Sequence, residues 1–177
     1  METVKKYIFP VGMLLAVIAA AMIITHFTQE AVPTQAEQID GWKHITFDQH
    51  GNSYYIDLKT IGRDESSDGN LNFHAVFRKV YSEQGRENLI KAYSDSGVDT
   101  SQMKDIDHEL EFIKFRDING YKFFVGAEST FYKADGSEIP ALKMNVSVDN
   151  NGQPQAIPGK SIVENLFDYA FNRVKKD

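Results

Sequence analysis

Cysteine is absent from the 177 residues, tryptophan occurs once and proline five times. Without cysteine the chain has no disulfides, no thiolate metal ligands, no sulfur nucleophile and no acylated lipoprotein cysteine. Positive charge is also scarce: 19 Lys and Arg stand against 25 Asp and Glu, a formal net charge of -6. That balance lacks the cationic excess that neutralises phosphates, so nucleic-acid binding is not expected. Catalytic signatures are missing too. No Gly-x-Ser-x-Gly elbow occurs, and His26, His44, His50, His74 and His108 are scattered, without the His-x-x-x-His spacing that would enforce a zinc site. Asp64-x-Ser66-x-Asp68-Gly69 begins like a calcium loop, but its twelfth position is Ala75, where a bidentate glutamate is needed. The expectation is a protein without metal, cofactor or enzymatic activity.

What the sequence does have is an address. No charged residue occurs from Tyr7 to Ile24, and the uncharged run continues to Gln29. At a rise of about 1.5 Å per residue, residues 7–27 would cover roughly 30 Å, the thickness of a hydrocarbon core. Lys5 and Lys6 precede the run, while Glu30, Glu37 and Asp40 follow it. The positive-inside bias then places residues 1–6 in the cytoplasm, 7–27 in the membrane as a signal anchor, and the remainder outside. Ala19-Ala20-Ala21 also fits a cleaved signal peptide, which would make the protein secreted, but apolar character continues through Met22-Ile23-Ile24. Residues 28–40 contain Pro33 and no apolar periodicity, and read as an extended linker.

Residues 41–177 read as an α+β domain: an antiparallel β-meander sheet packed by a C-terminal helix. Alternating segments Trp42–Phe47 and Ser53–Leu58 flank a loop with Gly51 and Asn52, and a third strand runs from Leu71 to Tyr81. Asn119-Gly120 separates two further strands, 106–118 and 121–133, and favours the type I′ turn of a tight hairpin. Counting outward from that turn pairs Asp117 with Lys122, Phe115 with Phe124, Ile113 with Gly126 and Glu111 with Glu128. A first helix over 83–94 ends before Gly97, with Gly85 weakening its start. In the last one, Ser161-Ile162-Val163-Glu164 forms a capping box, and Val163, Leu166, Phe167, Ala170 and Val174 make one apolar stripe.

Several short motifs carry a resemblance. A Trp42-led first strand, Tyr54-Tyr55-Ile56-Asp57 followed by Thr60-Ile61, a Tyr132-Lys133-Ala134-Asp135-Gly136 turn, and Ile157-Pro158-Gly159-Lys160-Ser161-Ile162 before a final helix occur in that order. Over residues 41–177 the chain resembles the surface-adhesin E-like domains of bacterial envelope proteins. The resemblance implies a compact antiparallel sheet packed by a C-terminal helix and displayed at the cell envelope, with adhesion known for some members. Family members often carry cysteines in the later strands; with none here, disulfide-dependent features do not transfer.

Two sets of residues stand out as functional candidates. Glu111 and Glu128, placed opposite each other, would be coupled carboxylates able to share a proton or a cation, unless a bulge near Phe112-Ile113 moves one out of register. Aromatic residues exceed what a small core needs, and Tyr55 and Tyr132, out of phase with inward apolar neighbours, are expected on an exposed interaction surface. The resulting expectation is a membrane-anchored, extracytoplasmic binding module, adhesin-like and non-catalytic, contacting lipid through residues 7–27 and a protein or polymer through its sheet. The alternatives are a structural subunit of a larger membrane assembly and a small envelope acid/base enzyme using Glu111 and Glu128.

Overall fold

The computed structural model describes residues 39–66, 68–142, 144–147 and 154–175. The expected span 7–27 lies outside the described residues, as does nearly all of the linker; among those described, no helix is long and apolar enough to cross a membrane. The elements are β1 (Trp42–Phe47), β2 (Ser53–Asp57), β3 (Gly62–Asp64), β4 (Leu71–Val80), α1 (Glu83–Asp95), β5 (Ile106–Ile118), β6 (Tyr121–Lys133), β7 (Met144–Ser147), β8 (Gln155–Ala156) and α2 (Ile162–Val174). The strands form one antiparallel sheet in the order β1-β2-β4-β5-β6-β7, so the α+β class and the C-terminal helix are as expected.

Strands β2 and β3 share one side of β4, at residues 77–80 and 72–74 respectively. The gap between them leaves the Val76 N–H without a ladder partner, and the Thr60 hydroxyl oxygen accepts it at 2.8 Å. This is how a broken edge keeps its backbone satisfied. At the β5–β6 turn Asn119 and Gly120 have φ of +53° and +86°, the two left-handed positions a type I′ turn requires.

Alternation along β4 sorts the two faces: Phe73, Ala75 and Phe77 are buried, while Asn72, His74, Val76 and Arg78 are half-buried. The buried face receives α2, whose Ile162, Val163, Leu166, Phe167, Ala170 and Val174 pack on Phe73, Phe77, Ile113 and Phe115. Burial of Leu166 and Phe167 stabilises by about 1.5–3 kcal/mol each. Ser161 caps this helix, accepting the Glu164 N–H at 3.1 Å. The Glu164 carboxylate accepts the Lys160 N–H at 2.6 Å and the Lys122 ammonium at 2.7 Å, and Asp168 takes the same ammonium at 2.8 Å. Helix α2 is thereby pinned to β6.

A second apolar cluster lies under α1, where Leu89, Ile90 and Tyr93 pack against Tyr81, Met103, Ile106, Phe131, Ile139 and Leu142. Ser82 caps α1, accepting the Gly85 N–H at 2.9 Å. The cap is held from the β1–β2 loop: Asn52 Oδ1 accepts the Ser82 N–H at 3.0 Å, and Asn52 Nδ2 donates to Asp48 at 2.8 Å. Gly85 therefore does more than weaken the helix start, because Asn52 occupies the space a side chain there would fill.

Candidate functional site

Both helices lie on one face of the sheet, and between their two apolar clusters that face is polar. The register explains it. Tyr54, Lys79, Glu109 and Phe131 stand side by side in one cross-strand row, and Ile56, Phe77, Glu111 and Ser129 in the next. Glu109 is 4% exposed and accepts the Tyr81 hydroxyl at 2.5 Å. The Lys79 ammonium lies 4.6 Å from the Tyr81 ring centre and 5.7 Å from that of Tyr54, close enough for cation–π attraction. Tyr54 donates its hydroxyl to Asp48 at 3.2 Å.

Burial and like charge shape the acidity of this seam. Burial, then the neighbouring Glu109 charge, pushes the Glu111 carboxyl up to about 8, with Lys79 acting against them. Glu111 retains partial contact with solvent, so its proton can exchange with the medium. Burial and then Asp48 and Glu111 hold the Tyr54 phenol well above its ordinary value; burial and then Glu109 do the same for Tyr81 and, from α1, Tyr93. The tyrosines are thus neutral hydrogen-bonding walls, and Glu111 is the group that can exchange a proton.

Among the described residues, neither helix packs on the opposite face. There the His74 ring lies 5.1 Å from that of Phe112, and the Lys114 ammonium lies 5.5 Å from the same ring. Asp64 fixes His74 through Nδ1 at 2.9 Å, and the ring sits directly over Gly62. At the far end of β4, His108 stacks on Tyr132 with ring centres 5.1 Å apart, while its Nδ1 lies 2.8 Å from Asp107 and 3.3 Å from Arg78. Burial lowers the His108 pKa, the Asp107 hydrogen bond opposing it, and burial also lowers that of His44. His44 Nε2 and Arg78 Nε are buried without a hydrogen-bond partner.

Two site expectations are corrected. Glu111 does not face Glu128. The pairing follows the predicted register as far as Phe115 with Phe124, then shifts, so that Lys114 meets Gly126 and Val125 is the extra residue. Glu111 then faces Ser129 on the helix-bearing face, and Glu128 faces Phe112 on the other. The bulge lies on β6, close to where the alternation of β5 changes phase, and it separates the two carboxylates by the thickness of the sheet. Tyr55 is not exposed. It points away from the helices as its phase predicts, but it is 1% accessible, with the His44 ring edge-on at 5.2 Å and Arg78 as its cross-strand neighbour. Tyr132 is half-buried against His108, and among the described residues the most exposed large apolar side chain is Tyr121 at the hairpin tip, 72% accessible.

Sequence reasoning missed Lys79, Glu109 and Tyr81. A signal was present: Glu109 and Glu111 continue the phase of Ile113 and Phe115, so a core-facing phase runs straight through two carboxylates. Among the described residues no group of three His, Asp or Glu side chains is arranged to hold a metal ion. Comparisons of the chain with protein-family models, with curated proteins and with solved structures find no match.

Proposed function

We propose that the chain is a non-catalytic binding module of the bacterial cell envelope, similar to surface-adhesin E-like domains. Residues 7–27 anchor it by a single span, and the domain stands outside the cytoplasm. The observation that carries the binding reading is the sheet face on which neither helix packs, where the cross-strand pair His74 and Lys114 borders the Phe112 ring. An aromatic ring bordered by polar and cationic groups on a half-exposed sheet suits a protein or polymer ligand better than a small molecule, which needs a concave, enclosing pocket. The anchor reading rests on the uncharged run behind Lys5 and Lys6.

The test uses the full chain in nanodiscs, immobilised and exposed to purified envelope polysaccharide and to detergent-solubilised envelope proteins. Retention is expected for wild type and for Lys91→Glu, a solvated position on α1, and at least a tenfold loss for Phe112→Ser combined with Lys114→Glu. Equal retention by the double variant sinks the binding reading. Retention that follows residues 7–27 alone points to a structural subunit held through its span. In spheroplasts, added protease is expected to digest residues 41–177; protection there would reverse the orientation.

A further inference from the structure

The seam on the helix-bearing face is not used by the binding reading, and its geometry supports a separate role. We propose that the seam is a proton-binding centre in which Glu111 holds a proton beside the Glu109 carboxylate and opposite Lys79, and that loss of this proton loosens the docking of α1 through Tyr81 and Tyr93.

Glu109 and Glu111 are alternate residues of β5, so their Cα atoms lie about 6.6 Å apart on the same face. Lys79 is directly across from Glu109, and its ammonium is held over the Tyr81 and Tyr54 rings. One cation therefore faces two carboxyls in a partly dehydrated row. The groups around the Glu109–Glu111 pair can be named by element: Tyr54 from β2 with Asp48 from the preceding loop bonded to it, Lys79 from β4 and Tyr81 just beyond it, Ser129 from β6, and Tyr93 from α1 on the Glu109 side. Helix α2 brings apolar side chains to its cluster. With one proton retained the row is balanced between Lys79 and Glu109. Without it, a second negative charge stands beside Glu109, the acceptor of the Tyr81 hydrogen bond, and Tyr81 belongs to the cluster on which α1 rests.

The direction of the pH effect follows. A carboxyl that holds its proton to about pH 8 when folded and to about 4.5 when unfolded gives the folded state an excess of bound protons between those values. The stabilisation is complete below about pH 4.5, falls as pH rises, and is lost above about 8. This is the reverse of Glu164, whose pKa is lowered by the Lys122 hydrogen bond and the Lys160 N–H and whose contribution disappears on acidification.

The experiment is a carboxyl 13C titration of the full chain, glutamate-labelled, in detergent micelles, together with thermal melts and amide exchange corrected for intrinsic rate. One glutamate resonance is expected to titrate near pH 8 in wild type and to vanish in Glu111→Gln. Glu109→Gln should move that midpoint down and Lys79→Met should move it up. Between pH 6 and 9 the wild-type melting temperature is expected to fall by several degrees and α1 amides to lose at least tenfold protection, while Glu111→Gln shows neither change. If no glutamate in wild type titrates above pH 7, the proposal is overturned without any variant. It is also overturned if one does titrate but α1 protection stays flat, or if Glu111→Gln keeps the wild-type slope.

Discussion

Phe167→Ala is expected to lower the unfolding free energy by about 3–5 kcal/mol, the cost of a fully buried aromatic reduced to a methyl group. Phe167 is 0% exposed, with its ring centre 5.0 Å from Phe73, 5.4 Å from Phe115 and 5.4 Å from Phe171. These partners come from β4, β5 and α2 itself, so no single side chain can swing into the vacated space without leaving another contact. Urea melts followed by circular dichroism measure the loss, and Leu166→Met, which conserves volume, should cost less than about 1.5 kcal/mol. A loss under about 1 kcal/mol for Phe167→Ala would mean that α2 does not close the core.

Gly85→Ala is the second large effect, and its sign opposes helix propensity. Inside a helix alanine is favoured over glycine by about 1 kcal/mol. Here a Cβ would lie 1.8 Å from Asn52 Oδ1 and 2.6 Å from Nδ2, so the Asn52 side chain must leave. Asn52 is 3% exposed, and its departure strips partners from the Ser82 N–H and Asp48. Displacing the buried Asn52 amide from its partners and leaving the Ser82 N–H unsatisfied each cost about 1–3 kcal/mol, for a net loss of about 2–4 kcal/mol. Combining Gly85→Ala with Asn52→Ala should cost clearly less than the sum of the two, since they break one joint. A Gly85→Ala protein more stable than wild type would refute the docking.

These two positions show what one sequence discloses and what it hides. The stripe on α2 and the Asn119-Gly120 turn were legible because each is local: a helical period and a dipeptide with two left-handed φ values. The role of Gly85 was hidden, since its reason lies in Asn52, 33 residues away in the chain. The pairing of Glu111 failed for a related reason. Counting from a turn holds until one residue is inserted, and Val125 has no composition that marks it as a bulge. Tyr55 failed differently: its phase was right, but phase assigns a face and not what packs there. The seam needed β4 and β5 in register, which alternation alone leaves open.

Among the described residues the sheet ends at β1 and β7, and the way β1 ends has a bearing on self-association. A long, flat outer strand offers a ladder of free backbone groups to any second molecule. Strand β1 has six residues, its register shifts between His44 and Thr46, and Lys43 is exposed beside that irregularity. The shift twists the outer backbone out of plane, and the lysine cannot be desolvated cheaply by an incoming strand. Strand addition at this rim is disfavoured, so copies of the domain brought close together meet there through side chains and not through a shared backbone ladder.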